Sequence, residues 1–360
     1  MKNIKTSPLI DHFSNGKETL ERFGDQGGFF DVVLKPMFQQ GHEGELLSWL
    51  KETSLIRSSF NCPQPECQAR SMTWVGARLR DRYNWVCPNC SKKQTIREGC
   101  FFNGVKTDFK SALMLVLAWC QDVPYEIAAQ HLEIKEHIVK KVYEKCGKVC
   151  EYYVDSHPDE FQVGGPGMVL IVDEFPGGYM VPEGMDVTTT KKRNNNSHTI
   201  LCIAEANCIP PKMWLHMIQA MPEPLPKAAK EKKAVQRCGM VEEAIKVITK
   251  QVLPGSFLVA NRRARCCNYE SLQELKQYGV FSVEYLQTFD GLGHQKLLGN
   301  LGTIWQNGVD ICEEIQESTR SLAQSIISTH LWKQRFGYPS SSSPAFQCML
   351  NHITECYRFT

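Results

Sequence analysis

Four of the sixteen cysteines in this chain stand apart by their spacing. Cys62 and Cys67 bracket Pro-Gln-Pro-Glu, Cys87 and Cys90 bracket Pro-Asn, and nineteen residues lie between the two pairs. Each half reads as a tight turn that brings two thiolates toward one point. Tetrahedral zinc takes four such soft ligands, and two short knuckles joined by a hairpin supply them. Four unrelated core cysteines are the alternative, and the prolines inside both knuckles argue against it. Four protein ligands leave no open position for a substrate, so the expected role of the Zn²⁺ is structural.

Two further groups of residues could do chemistry. The segment MVLIVDEF reads as a buried strand ending in Asp173 and Glu174. Carboxylates at such a strand end can hold divalent ions that activate an attacking oxygen, although strands also end in Asp for turn reasons. Around the cysteines, Arg78, Arg80, Arg82, Lys92 and Lys93 are interleaved with Trp74, Tyr83 and Trp85. Basic and aromatic side chains in this mixture can contact phosphates and stack on bases, or form a solvated face over a small core.

These residues need elements to hold them. Between the cysteine pairs, SMTWV and YNWVC carry the β-branched and aromatic residues of strands. From Asp108 to Tyr153 the reading is helical. DFKSALMLVLAWCQ is apolar on most of its surface and reads as a buried helix. DVPYEIAAQHL follows, with Asp122 as N-cap and Pro124 in the first turn. In HIVKKVYEKCGKVCEYY, the residues Ile138, Val142, Cys146, Val149 and Tyr153 lie close to a helical stripe. This is the outline of a trihelical helix-turn-helix. Lys135, Lys140, Lys141, Lys145 and Lys148 fall mostly off the stripe, where a recognition helix meets DNA or where any small bundle shows a solvated face. The Pro, Gly and Asp of residues 155–167 mark a linker. Beyond it, strands at MVLIVDEF, HTILCIAEAN, PKMWLHMIQA, PGSFLVANRRA and VFSVEYL alternate with helices at GMVEEAIKVITKQVL and NYESLQELKQYG. The stretch from Asn300 to Arg335 reads as mainly helical. The sum is an α/β domain with a mixed sheet behind α-helical and zinc-ribbon modules.

Composition bounds the function classes. With 360 residues and about 150 per domain, two or three domains are expected. Apolar residues at 42% and charged residues at 22% exclude a disordered chain. A net charge of +2 excludes a large single-sign field, so any nucleic-acid surface is a local patch. Residues 60–150 carry 14 Lys and Arg against 9 Asp and Glu, and KKRNNN at 191–196 forms a further basic segment. The longest strongly apolar run, Ala112 to Trp119, is far short of the ~20 residues that span a bilayer, so no membrane partner is expected. The opening MKNIKTSPLIDHF lacks the apolar core of a secretory signal. A reducing compartment follows, and cysteines such as Cys120, Cys202 and Cys348 are expected to be core thiols.

Several segments, in order, resemble the transposases of Merlin-type DNA transposons and their bacterial insertion-sequence relatives. The lead-in is GELLSWLKETSLIRSSFNC, and the ribbon-to-helix stretch is IREGCFFNGVKTDFKSALMLVLAWCQDVPYEIAAQHLEI. The catalytic segment is LIVDEFPGG, and HLWKQRFGYPSSSSPAFQCMLNHI closes the chain. The resemblance covers about residues 45–356. It implies a helical lead-in (1–59), a zinc ribbon (60–100), a helix-turn-helix (101–154), a linker (155–167), an RNase H-like DDE domain (168–340) and a helical tail (341–360). In that family an Asp-Asp-Glu triad binds two Mg²⁺ or Mn²⁺ ions and drives strand cleavage and transfer. Carried over, the first acid is Asp173, the second falls at Asn261, and the third falls at Gly302. Asparagine keeps a carbonyl oxygen without the charge, and glycine offers no ligand. Two dications need more compensating charge than one carboxylate supplies, so Mg²⁺ is expected to bind weakly at most.

The resemblance therefore implies a domesticated, catalytically degenerate member of the family. It would be a nuclear, DNA-binding or chromatin-associated protein, with DNA, chromatin proteins or a second copy of itself as partners. The DNA contacts would come from Arg78, Arg80, Arg82, Lys135, Lys140, Lys141 and Lys145. Two other readings stay open: an active transposase or nuclease with a displaced acidic site, and a protein-interaction scaffold that does not touch DNA.

Overall fold

The structure, a computed structural model, describes residues 24–67, 71–176, 198–207, 209, 211–219, 239–287, 292–316, 318–337 and 344–359. In chain order the elements are α1 (Glu43–Glu52), β1 (Thr73–Gly76), β2 (Tyr83–Val86), β3 (Lys93–Thr95), α2 (Phe109–Cys120), α3 (Tyr125–His131) and α4 (Glu136–Ser156). There follow β4 (Val163–Gly164), β5 (Val169–Phe175), β6 (Ile200–Glu205), β7 (Met213–Met217), α5 (Gly239–Gln251), β8 (Val252–Leu253) and β9 (Phe257–Ala260). The last are α6 (Tyr269–Leu272), β10 (Gly279–Ser282), α7 (Val283–Gln287), α8 (Leu292–Gln316), α9 (Arg320–Phe336) and α10 (Ala345–Cys356). The class is mixed α/β. Among the described residues no helix is long and apolar enough to cross a membrane.

The chain divides into two compact units, one of residues 1–153 and 335–360, the other of residues 154–334. In the first, α2 is the central helix. Asp108 caps it by accepting from the Ser111 N–H at 2.9 Å, and every residue from Ala112 to Cys120 is buried. The C-terminal residues were expected as a separate tail. They join this unit instead, because α10 packs on α2 and buries Phe346, Met349, Leu350 and Ile353. Phe346 meets Phe30 edge-on at 5.5 Å, and His352 stacks on Tyr153 at 3.6 Å.

The three helices read from sequence are present as α2, α3 and α4. Asp122 does not cap α3 as expected. It takes a left-handed conformation (φ 58°) in the turn before it, and Pro124 occupies the N-cap position without a side-chain bond. On α4 the buried stripe is Val139, Val142, Cys146, Val149, Cys150 and Tyr153, while Ile138 is only half-buried. The apolar face is rotated by about one residue at its start.

The second unit is built on a five-stranded mixed sheet of order β10-β9-β5-β6-β7. β5 lies at its centre, antiparallel to β6 and parallel to β9. Its residues are buried apart from the first, as a strand covered on both faces requires. Residues 155–167, expected as a linker, are an ordered part of this unit. They hold a 3₁₀ turn (Pro158–Phe161) that buries Phe161, and β4, which pairs in parallel with β8. The expected helix over NYESLQELKQYG is a single turn, α6, capped by Asn268 accepting from the Ser271 N–H at 2.9 Å. Within VFSVEYL the strand ends at Ser282 and the chain turns into α7. The KKRNNN segment lies outside the described residues.

Candidate functional site

The four cysteines singled out by spacing come together. Their sulfurs all lie within 4.8 Å of one another, with Cys62–Cys90 and Cys67–Cys87 each at 3.5 Å. Zinc–sulfur bonds of about 2.3 Å in a tetrahedron separate the sulfurs by about 3.8 Å, so the set has room for one ion and is too wide for disulfides at ~2.05 Å. The knuckles form because backbone bonds fold each loop onto its cysteine. The Cys67 N–H donates to Gln64 O at 3.0 Å, and the Ser91 N–H donates to Cys87 O at 3.0 Å. Ser91 takes a left-handed conformation (φ 59°) to close the second knuckle.

The thiols are not equivalent. Backbone N–H groups, that of Cys90 foremost, stabilise the Cys87 thiolate and bring it down to about 6. Cys62 also accepts from the Gln64 N–H, but desolvation and the three neighbouring thiols raise it to about 12. A Cys87 thiolate already formed, beside a Cys62 thiol that loses its proton on loading, suits a structural Zn²⁺ site.

A three-stranded antiparallel sheet carries these knuckles, with Thr73 opposite Val86, Trp74 opposite Trp85 and Trp85 opposite Gln94. Its inner face is aromatic. Trp85 is buried, stacks on Phe60 at 6.2 Å and meets Trp74 edge-on at 5.6 Å. The Lys51 ammonium sits 3.4 Å from the Trp74 ring centre, a contact with no sequence signal, and burial lowers its pKa. The aromatics between the cysteine pairs are thus committed mainly to the ribbon's own core.

The basic residues divide sharply. Arg78, Arg80 and Arg82 are all exposed on the β1–β2 turn. Arg82 reaches Glu43 at 3.4 Å and remains 66% exposed. On α4, Lys135, Lys140, Lys141 and Lys148 are exposed. Lys140 lies 4.2 Å from the Tyr125 ring centre and 3.8 Å from Glu136, and its pKa is raised by the Tyr125 hydroxyl foremost and by Glu136 after it. Lys145 faces inward. It is half-buried near the rings of Phe101 and Tyr357, and burial lowers its pKa.

In the second unit the acidic strand end is fully enclosed. Asp173 is 1% exposed and Glu174 is fully buried. Val172 pairs with Ala260, so Asp173 and Asn261 stand side by side at the carboxyl ends of two parallel strands, about 4.8 Å apart in backbone. Asp173 Oδ1 accepts from the Glu174 N–H at 2.8 Å, and Asn261 Oδ1 accepts from the Arg263 N–H at 2.8 Å. Glu174 points to the opposite face of the sheet, as alternation requires. There it accepts from the Cys266 N–H at 2.7 Å and from Arg265 Nε at 3.5 Å.

Gly302 is not brought to this pair. α8 runs antiparallel to β6: Asn300 donates to Ala206 O at 3.1 Å, Cys312 Sγ lies 3.7 Å from Cys202 Sγ, and Gln316 bonds His198. Cys202 is the register partner of Asp173, so the helix residue level with the acid is Cys312. Gly302 and Cys312 are ~15 Å apart along the helix at about 1.5 Å per residue. The position carried over as the third acid therefore sits beside the start of β5. The loose match of residues 294–305 to the family segment gave no anchor for the helix register.

No protein-family model matches the chain, and neither the curated proteins nor the solved structures include a match to it.

Proposed function

We propose that this chain is a transposase-derived, nuclear DNA-binding or chromatin-associated protein, a degenerate relative of the Merlin-type DDE transposases that has lost strand transfer. The second unit is then its RNase H-like domain, and the first its zinc ribbon and helix-turn-helix. The observation that supports this most is the adjacency of positions 173 and 261. The resemblance picks out both, far apart in sequence, and they lie side by side near the carboxyl ends of neighbouring parallel strands at the centre of one mixed sheet. With Asn at the second position, Asp173 has half the paired charge that a divalent ion needs there. Glu174 adds little, because its oxygens are held on the other face by Cys266 and Arg265. The DNA surface is the exposed arginine turn of the ribbon. The test is paired: duplex binding by the full chain across a salt series, and nicking of supercoiled DNA with Mg²⁺ or Mn²⁺. Salt-sensitive binding without nicking supports the reading.

A second reading, an active nuclease with a displaced acid, is favoured by one observation. Glu313 follows Cys312 in the chain, and Cys312 stands level with Asp173. Metal-dependent nicking abolished by Glu313→Ala and by Asp173→Ala would select it.

A further inference from the structure

We propose that the tip of the β1–β2 hairpin is a pre-formed probe for the minor groove of A·T-rich duplex DNA, with Leu79 as an apolar wedge between Arg78 and Arg80. The inference rests on the DNA-binding reading and adds the groove, the base composition and the mode of entry.

The tip is tightly closed. The Ala77 N–H donates to Arg82 O at 2.8 Å, the Arg82 N–H donates to Leu79 O at 3.0 Å, and Arg82 takes a left-handed conformation (φ 61°). Leu79 is 56% exposed, and Arg78 and Arg80 on either side are exposed too. A single exposed leucine is ordinary. What distinguishes this one is the charge around it. The tip holds three arginines; Arg82 is offset by Glu43 at 3.4 Å, whereas the tip's own acid, Asp81, does not offset Arg78 and Arg80. Its carboxylate turns inward to Arg97, which donates from Nε at 2.6 Å and from Nη2 at 2.5 Å, with both side chains mostly buried. Arg97 is fixed in turn by donating from Nη1 to Val105 O at 2.8 Å and by stacking over Phe109 at 4.3 Å. The loop is thus tied down at Asp81, near its β2 end, while the guanidinium groups of Arg78 and Arg80 stay outside.

Shape selects the groove. One face of the ribbon is occupied by Trp74 and Trp85 packing on Phe60 and Lys51, and Thr73 and Val75 are exposed on the other. The arginines of the hairpin are gathered at its tip. A minor groove about 6 Å wide admits the side chains at the tip rather than the hairpin itself, and A·T tracts narrow it further and deepen the negative potential that attracts arginine. Apolar side chains entering there unstack a base step.

The test uses the full-length, zinc-loaded protein and labelled duplexes of equal length, one A·T-rich and one G·C-rich. The minor-groove ligand netropsin serves as competitor, and 2-aminopurine in the A·T-rich duplex reports unstacking. The A·T-rich duplex is expected to bind about tenfold more tightly, and netropsin to remove that preference. Arg78→Ala with Arg80→Ala should reduce the salt slope by about 2. Leu79→Ser should leave the salt slope unchanged and abolish the 2-aminopurine signal. Equal thermal midpoints and zinc content show that the variants fold. If binding is indifferent to netropsin, matched by single-stranded DNA, or unchanged in both variants, the inference is overturned while DNA binding stands. Absence of binding to any DNA overturns both.

Discussion

Arg97, in the turn after β3, holds Asp81, near the β2 end of the β1–β2 turn, through two charge-assisted bonds of 2.6 and 2.5 Å, with 7% and 14% of the two side chains exposed. Fork-to-carboxylate geometry of this kind is the strong form of an ion pair, and removing one partner strands the other charge in a low-dielectric site. Arg97→Met is expected to destabilise the first unit by about 3 kcal/mol. Arg97→Met combined with Asp81→Leu should recover most of that loss, because no charge is then left buried. Urea unfolding of the three proteins checks this. Equal loss in the single and double variants would mean that the Val105 and Phe109 contacts of Arg97 dominate.

The cysteine set predicts one zinc per chain. Structural zinc contributes folding free energy of order ~10 kcal/mol in small domains, so Cys87→Ser or a strong chelator should unfold the ribbon. The sign with pH follows from the thiols. Cys87, held down at about 6, is ionised at neutral pH, whereas Cys62, raised to about 12, loses its proton when the metal binds. Loading therefore releases protons, and zinc affinity rises with pH. Competition with a chromogenic chelator at pH 6 and pH 8 measures it. Equal affinity at the two values would contradict this protonation scheme.

Lys145 is expected to act on stability rather than on DNA. Burial lowers its pKa below the ordinary 10.5, so between the folded and unfolded values the unfolded chain binds more protons. Stability from this group therefore rises with pH just below 10.5. Lys145→Met keeps the stem, removes that pH dependence and should not lower the thermal midpoint. Lys145→Glu should lower it, by burying a new carboxylate beside the Cys100 thiol, which burial itself raises to about 11. A charge-reversal test of the α4 face should therefore use Lys135, Lys140, Lys141 and Lys148. Unchanged midpoints in Lys145→Glu would place this side chain in solvent.

What was legible in the sequence follows the range of the interactions. The zinc set is local: two turns, each closed by its own backbone bonds, leave a spacing that survives in the sequence. The buried strands were legible because MVLIVDEF and HTILCIAEAN are apolar without alternation. The Asp122 cap fails because a left-handed turn takes over from local preference, and the α4 stripe is offset by about one residue at its start. Long-range pairs left no mark. Nothing in IREGC shows that Arg97 grips Asp81, and nothing on either side of Lys51 shows that it covers Trp74. The register of α8 on β6 is set by Cys202–Cys312 and by the bonds of Asn300 and Gln316, so counting along the chain missed it.

That register also fixes which side chains can share a divalent ion with Asp173. No cleavage of DNA with Mg²⁺ or Mn²⁺ is expected from the unaltered chain, because Asp173 stands beside the neutral Asn261 and Glu174 is engaged on the opposite face. Asn261→Asp places a second carboxylate on the neighbouring strand end, where two anions about 5 Å apart repel unless a cation lies between them. The variant should therefore be less stable than the parent without metal and should regain stability as Mn²⁺ is added, since a ligand bound only by the folded state stabilises it. Gly302→Glu should not add to that effect, because position 302 lies ~15 Å along the helix from the residue level with the acid. Thermal midpoints against Mn²⁺ concentration separate the outcomes. If Gly302→Glu deepens the Mn²⁺ response of Asn261→Asp, residue 302 rather than Cys312 stands level with Asp173, and α8 is shifted along β6. If the parent already responds to Mn²⁺ as strongly as Asn261→Asp does, Asp173 has a charged partner other than residue 261.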